Sequence, residues 1–340
     1  MLYVGLDVHL NHISVCVLDE NGKRLRRARV PDASELIKLL TSLGQPLSVC
    51  YEASCGYGRW HEILSHIAAR VVVAHPGHLN LIFRSKRKHD AVDAEKLAKL
   101  LVLDAVPAVH VPPAKVRAWR ELISFRQKLV HKRTRAKNAI RALLRSLGIV
   151  APKRPRLWTD KGIAWLQGLE IGQPALAIKR DMLLEEIATF DRQIGRVEGE
   201  LARFARTSAA VALLRTIPGI GIRTAEAVVA FLDDPQRFAS SKQVGAYFGL
   251  VPAQDQSGDK NRLGHITREG APVVRHYLTE AVWQACRLSP TIGAYRDRIQ
   301  RDDPGRKKIA VVATAHYLVR VMWSMLRHQR TWQESPTAAV

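Results

Sequence analysis

Residues Leu2–Asp19 read LYVGLDVHLNHISVCVLD, two apolar runs rich in β-branched residues, 2–9 and 12–19, parted by Leu10-Asn11. Runs of that length and type are strands, and the short break makes them neighbours. A turn at Asn21-Gly22 leads into a third strand-like run, Leu25–Val30. The chain is therefore expected to open as an antiparallel three-stranded meander. One residue breaks the apolar pattern. Asp7 sits in the middle of the first strand with apolar residues on both sides, where an unpaired carboxylate is costly unless a cation or a hydrogen-bond donor meets it.

Further along, Asp32–Leu43 carries a helical pattern, Leu47–Glu52 is a buried strand, Tyr57–Ala69 an amphipathic helix and Val71–His75 another strand. Lys86–Leu101, KRKHDAVDAEKLAKLL, then turns helical from Ala91. The order β-β-β-α-β-α-β-α predicts an α/β domain with a mixed sheet, of the RNase H-like type. Glu52 ends the fourth strand and is followed by the small residues Ala53-Ser54. Sites in such sheets form outside the carboxyl ends of the strands, so Glu52 and Asp7 are expected near one another. Asp90 and Asp93, three residues apart, share a face at the first turn of the following helix. Taken alone, that pair also suits an N-cap and a first-turn acid interacting with the helix dipole. Four convergent carboxylates, Asp7, Glu52, Asp90 and Asp93, require cations, and all-oxygen ligands suit Mg²⁺ or Mn²⁺. Two such ions about 4 Å apart are the usual device for displacement at a phosphodiester.

The 340 residues carry 53 Lys and Arg against 31 Asp and Glu, a net charge of +22. That surplus points to a polyanion, nucleic acid first, though a merely basic or ribosome-associated protein has the same balance. Cys16, Cys50, Cys55 and Cys286 form no CxxC pair, which argues against a disulfide framework or a zinc site. With an N-terminus that reads as a strand and no continuous apolar run approaching about 20 residues, no membrane association and a cytoplasmic location are expected.

Residues 113–156 hold fourteen Lys or Arg and one acid, Glu121, with apolar residues at helical spacing. A long basic helix over Ala114–Leu147 follows, with Arg133, Lys137 and Arg141, like Lys86, Arg87 and Lys88 upstream, as candidate phosphate contacts. Residues 152–172 look like a linker. Gln173–Ala205 is a second long helix with roughly heptad-spaced apolar residues, able to pair with the first or with another copy. Leu213–Leu232, LLRTIPGIGIRTAEAVVAFL, reads as a helix-hairpin-helix, in which Gly219 and Gly221 let backbone N–H groups approach phosphate beside Arg223 and Thr224. The polar stretch Ala253–Gly270, AQDQSGDKNRLGHITREG, contains Ser257 among Lys260, Arg262, His265 and Arg268. On its own Ser257 is one loop serine among many, and the cations there equally suit a DNA clamp. Val273–Leu288 and Lys308–Leu326 are expected helices of a mostly α C-terminal part, with Trp283 and Trp323 in its core.

Together YVGLDVH, CYEASCGYG, KRKHDAVDAEKLAKLL, RTIPGIGIRTAEAVVAF and the FASSKQVGAYFGLVP-AQDQSG-KNRLGHITREG block resemble the DEDD-type insertion-sequence transposases, also described as bridge-RNA-guided recombinases. The resemblance implies a RuvC-like catalytic domain over 1–112, a basic helix and coiled-coil region over 113–207, and a C-terminal transposase domain over 208–330. It implies that Asp7, Glu52, Asp90 and Asp93 bind metal, and that Ser257 attaches covalently to DNA, with Ser240 and Ser241 the alternatives. It further implies a composite active site in a tetramer assembled from dimers, acting on double-stranded donor and target DNA with an element-encoded RNA, in a bacterial cytoplasm at the nucleoid. Two other functions fit the same residues. If Ser257 only binds DNA, the metal quartet makes a hydrolytic nuclease of Holliday-junction-resolvase type; if the acids are structural, the chain is a non-catalytic nucleic-acid scaffold.

Overall fold

Every second residue of β1 (Leu2–Val8) faces one core: Leu2, Val4 and Leu6 are buried in one cluster with Ile13, Val15 and Val17 of β2 (Ile13–Leu18). β3 (Arg24–Val30) pairs antiparallel with β2 as the expected meander requires. Helix α1 (Ala33–Thr41), capped by Asp32 accepting from the Glu35 amide, returns the chain to β4 (Leu47–Glu52). Then come α2 (Tyr57–Ser65), β5 (Arg70–Ala74), α3 (Pro76–Ile82) and α4 (Asp90–Val102). The sheet order is β3-β2-β1-β4-β5, with β1, β4 and β5 parallel. This mixed sheet with helices is compatible with an RNase H-like DEDD fold.

The computed structural model describes residues 1–54, 56–82, 90–257 and 260–334, and the chain divides into two compact units, Met1–Arg117 and Ala118–Val340. Lys86, Arg87 and Lys88 lie outside the described residues.

Two 33-residue helices, α5 (Ala114–Ser146), which belongs to the second unit from Ala118 onward, and, beyond α6 (Asp160–Gln167), α7 (Pro174–Arg206), run antiparallel. Trp119 stacks on Phe204 with ring centroids 5.6 Å apart, Arg126 meets Glu198 at 2.7 Å, and Arg133 meets Asp191 at 2.5 Å. As one number rises the other falls. The stretch 152–172, expected as a linker, is instead structured. It contains α6, whose Leu166 is fully buried with Ile140 and Leu144 of α5 and Leu184 and Ile187 of α7. The apolar residues of 157–166, Trp158 and Ile163 among them, close the end of the helix pair.

The chain continues through α8 (Ala209–Leu214), α9 (Ile222–Leu232) and α10 (Ser241–Tyr247) into a two-stranded hairpin, β6 (Pro252–Ser257) and β7 (Lys260–Ile266). Helices α11 (Pro272–Leu288), α12 (Pro290–Gln300) and α13 (Lys307–His328) complete it. The stretch Pro304–His328 has the length and hydropathy of a spanning helix, but Leu318, Val319 and Met322 within it are fully buried in this unit's core. Trp323 is in that core as expected. Trp283 is not: it is 42% exposed, with the Lys307 ammonium 5.2 Å from its ring centroid.

Candidate active site

β1 and β4 are parallel neighbours with Leu6 level with Tyr51, so Asp7 and Glu52 are the next residues on adjacent strands. Leu6 and Tyr51 point into the cluster that also holds Leu36, Leu40 and Leu64 from α1 and α2. By strand alternation Asp7 and Glu52 take the opposite face, the one α4 covers. There Ala94 and Ala98 of α4 pack with Cys16 and Leu18, and Tyr3 and Val102 border the same cluster. Gly5 lies directly under Ala94 and Ala98. Gly5 lies nearest Ala94, while Tyr3 borders the clusters that hold Leu97, Leu100 and Leu101 and include Val102, so α4 runs antiparallel to β1 with its amino end toward the carboxyl end of β1. Asp7, Glu52 and the first turn of α4 thus lie toward one end of one face of the sheet.

Asp93 accepts from Lys96 Nζ at 2.8 Å, and Asp7 Oδ2 is 3.1 Å from His9 Nε2. His9 in turn stacks on His12, with centroids 4.7 Å apart. Glu52 is exposed at the end of its strand. Asp90 opens α4, its side chain being outside the described residues. Among the described residues no three His, Cys, Asp or Glu side chains gather closely enough to hold a cation. The oxygen donors on two adjacent strands, faced by a helix bearing two further carboxylates, nevertheless fit a hard divalent cation in chemistry. His9 was not anticipated, although an Asp-x-His spacing on a strand places both side chains on one face. Lys96 had the same kind of signal, three residues beyond Asp93 on a helix.

Cys16 and Cys50 are buried in the sheet. Burial pushes the Cys50 thiol up to about 12, and burial likewise raises Cys16.

In the second unit, α8 and α9 are joined by the Pro-Gly-Ile-Gly turn. Gly221 is the N-cap of α9, with no side-chain cap and nothing within 4 Å of a Cβ built there. Gly219 has φ +82, and a Cβ there would stand 2.5 Å from the Ala285 nitrogen of α11, so its requirement is packing. Thr224 is buried, and Arg223 is turned inward, 2.7 Å from Glu226 and 3.8 Å from Glu198. Burial raises the pKa of Glu226 against the opposing pull of Arg223. On α5, Arg133 is held by Asp191, while Lys137 and Arg141 both lie 5.2 Å from the centroid of the Trp158 ring.

The polar stretch read as a loop is a hairpin, closed by the pairing of Ser257 with Lys260. Lys260, Arg262, His265 and Arg268 are all exposed on or beside it. Its base is fixed by Arg275, which donates to the carbonyl of Phe248 at 3.1 Å and to that of Glu269. Ser257 ends β6, with its side chain outside the described residues. Of the alternative serines, Ser241 accepts from Arg320 Nε at 3.1 Å, and Ser240 is the N-cap residue of α10.

A family model described as transposase, of the DEDD class, matches residues 4–149, and one described as Transposase IS116/IS110/IS902 family matches residues 211–297. A probable family 20 transposase of Pseudomonas aeruginosa is 27% identical, over 97% of this chain and 98% of the relative. The transposase for insertion sequence element IS1111A of Coxiella burnetii is 26% identical, over 97% of this chain and 91% of its own length. That for IS1328 of Yersinia enterocolitica is 25% identical, over 94% and 95%. A DEDD-type domain implies divalent-metal chemistry in general. With both family domains in order along it, the chain belongs to the DEDD-type insertion-sequence transposases of the IS110 family, enzymes that cleave and transfer DNA strands.

Proposed function

We propose that this transposase cuts and rejoins donor and target DNA through a covalent phosphoserine at Ser257, with Asp7, Glu52, Asp90 and Asp93 as the metal-binding quartet. The observation that carries the reading is the side-by-side placement of Asp7 and Glu52 on the face that α4 covers, at its amino end. Mg²⁺ is the proposed ion, with Mn²⁺ an acceptable substitute for the same oxygen ligands; bound there it supplies Lewis acidity to the phosphodiester oxygens. Protein carboxylates do the holding, and Lys96 and His9 exchange their present partners when the carboxylates bind.

In the proposed step the Ser257 oxygen forms a bond to phosphorus, its proton passing to the medium, and the bond to one deoxyribose oxygen breaks, that oxygen leaving as a hydroxyl. Attack by a deoxyribose hydroxyl of the new strand reverses the step and frees the serine. A serine ester conserves the phosphodiester energy, which rejoining requires and hydrolysis discards. Ser257 is favoured over Ser241 because Ser241 is already engaged by Arg320.

The remaining assignments belong to the same proposal. A RuvC-like domain spans 1–112, a coiled-coil region 113–207 and the transposase domain 208–330. The α8–α9 hairpin contacts the DNA backbone through the uncapped amides after Gly221. An element-encoded RNA supplies sequence readout by pairing, which suits a chain of net charge +22 whose basic helix has no base-reading motif. The protein acts as a dimer assembling to a tetramer in the bacterial cytoplasm, at the nucleoid.

Cleavage of end-labelled element DNA by the full chain co-expressed with its flanking transcript tests the quartet. Asp7→Asn and Glu52→Gln should each lower cleavage at least about a hundredfold, the upper end of what loss of a supporting residue costs, while DNA binding persists. Retained cleavage in both would overturn the metal assignment.

A further inference from the structure

We propose, resting on the catalytic assignment of Asp7 and Glu52 above, that Arg29 binds a phosphate of the DNA strand being cleaved. β3 is an edge strand carrying four arginines, Arg24, Arg26, Arg27 and Arg29. Their register sorts them by face. Arg29 pairs with Ser14, Arg27 with Cys16 and Arg24 with Leu18, whereas Arg26 pairs with Val17. Cys16 and Leu18 lie under α4 and Val17 lies in the opposite cluster, so Arg24, Arg27 and Arg29 share the face of α4 and Arg26 does not.

Two of the three are committed. Arg24 and Arg27 both reach Glu95 of α4, at 3.1 and 2.5 Å, and Lys99 joins them at 2.8 Å. Arg29 lies one alternation further toward the end of the sheet that holds Asp7. It is exposed, and its side chain has no hydrogen-bond or ion-pair partner among the described residues. The row continues through Ser14, which is level with Asp7 on β1. Arg29, Ser14, Asp7 and Glu52 therefore stand on four adjacent strands across the same face.

At about 4.8 Å per strand, Arg29 is about 10 Å from Asp7 between backbones. That is too far for an ion pair with Asp7 and suitable for both side chains to reach one phosphodiester group or two adjacent ones. The Ser14 side chain between them is small and buried, and it carries no charge that would compete for the phosphate. An arginine so placed offers a planar fork of donors matched to phosphate oxygens. The plain alternative is that β3 carries arginines to discourage edge-to-edge pairing. That role makes no distinction between Arg29 and Arg26.

The test compares Arg29→Ala, Arg29→Lys, Arg26→Ala and Asp7→Asn in the full chain co-expressed with its flanking transcript, using end-labelled duplex DNA of the element ends. Single-turnover cleavage, the salt dependence of DNA binding and the thermal midpoint are read for each. Arg29→Ala should cleave about ten- to hundredfold more slowly, as expected for a lost charge-assisted hydrogen bond, and its salt slope should fall by about one. Arg29→Lys should keep the salt slope and recover part of the rate, and Arg26→Ala should match wild type. Equal effects of Arg29→Ala and Arg26→Ala, no effect of either, or a rate loss that tracks a lowered thermal midpoint would overturn the role of Arg29 while leaving the quartet standing. Full cleavage by Asp7→Asn would instead remove the catalytic assignment and this inference with it.

Discussion

Gly5 of β1 lies so close beneath Ala94 of α4 that a methyl group on it would overlap the Ala94 carbonyl oxygen and stand 2.6 Å from the Ala98 nitrogen. The helix that carries Asp90 and Asp93 is seated on the sheet by the absence of one side chain. Gly5→Ala should therefore displace α4 or strain the sheet, at a cost of about 1–3 kcal/mol as for other overpacked sites. Cleavage should fall further than stability does, because two of the four carboxylates ride on the displaced helix. Thermal unfolding and strand cleavage measured on the same preparation check this; wild-type cleavage would show that the seat of α4 is unimportant.

The two glycines of the α8–α9 turn should separate. Gly219 has a left-handed backbone and touches α11, so Gly219→Ala should lower the thermal midpoint. Gly221 has an ordinary extended conformation and open space around it, so Gly221→Ala should fold normally. If phosphate approaches the α9 amides there, Gly221→Ala should weaken duplex binding severalfold at unchanged stability. Electrophoretic binding assays beside thermal melts distinguish the two.

Glu95 gathers Lys99, Arg24 and Arg27, whose hydrogen bonds, led by that of Lys99, hold its carboxyl down at about 2. A carboxyl with a depressed folded-state pKa adds stability above the ordinary carboxylate range. That stability is lost as the pH falls through the range toward about 2. Because its partners are half-exposed, the contribution is on the order of 1 kcal/mol and declines with salt. Glu95→Gln should show its largest deficit in thermal midpoint near neutral pH and low salt. A deficit independent of pH would contradict the assignment.

The first unit was readable because its strands are apolar runs: Asp7 stood out because Leu2, Val4 and Leu6 defined the face it departs from. Glu52 and the α4 acids followed from their places at element ends. His9 and Lys96 were missed as neighbours of that site, though each is spaced to share a face with its acid. The hairpin β6–β7 was invisible because Pro252–Gln256, Lys260 and Arg262–His265 are all exposed, so no apolar alternation marks it. Helix α6 was hidden by the flanking Lys153-Arg154-Pro155-Arg156 and Gly168, which resemble a linker until Leu166 is seen buried by tertiary packing. Arg223 looked like a phosphate contact beside its turn. Its carboxylate partner Glu226 was only three residues away on the same helix, while Glu198 came from a distant part of the chain.

The central claim, a serine ester formed at a metal-dependent carboxylate site, is tested most directly by denaturing electrophoresis. Purified protein, co-expressed with its flanking transcript, is incubated with Mg²⁺ and labelled element-end DNA, and wild type is compared with Ser257→Ala and Asp93→Asn. Label migrating with wild-type protein and absent from both variants is the predicted result. Free cleaved DNA that persists in Ser257→Ala, with no label on the protein, would contradict it and make this site a hydrolytic one.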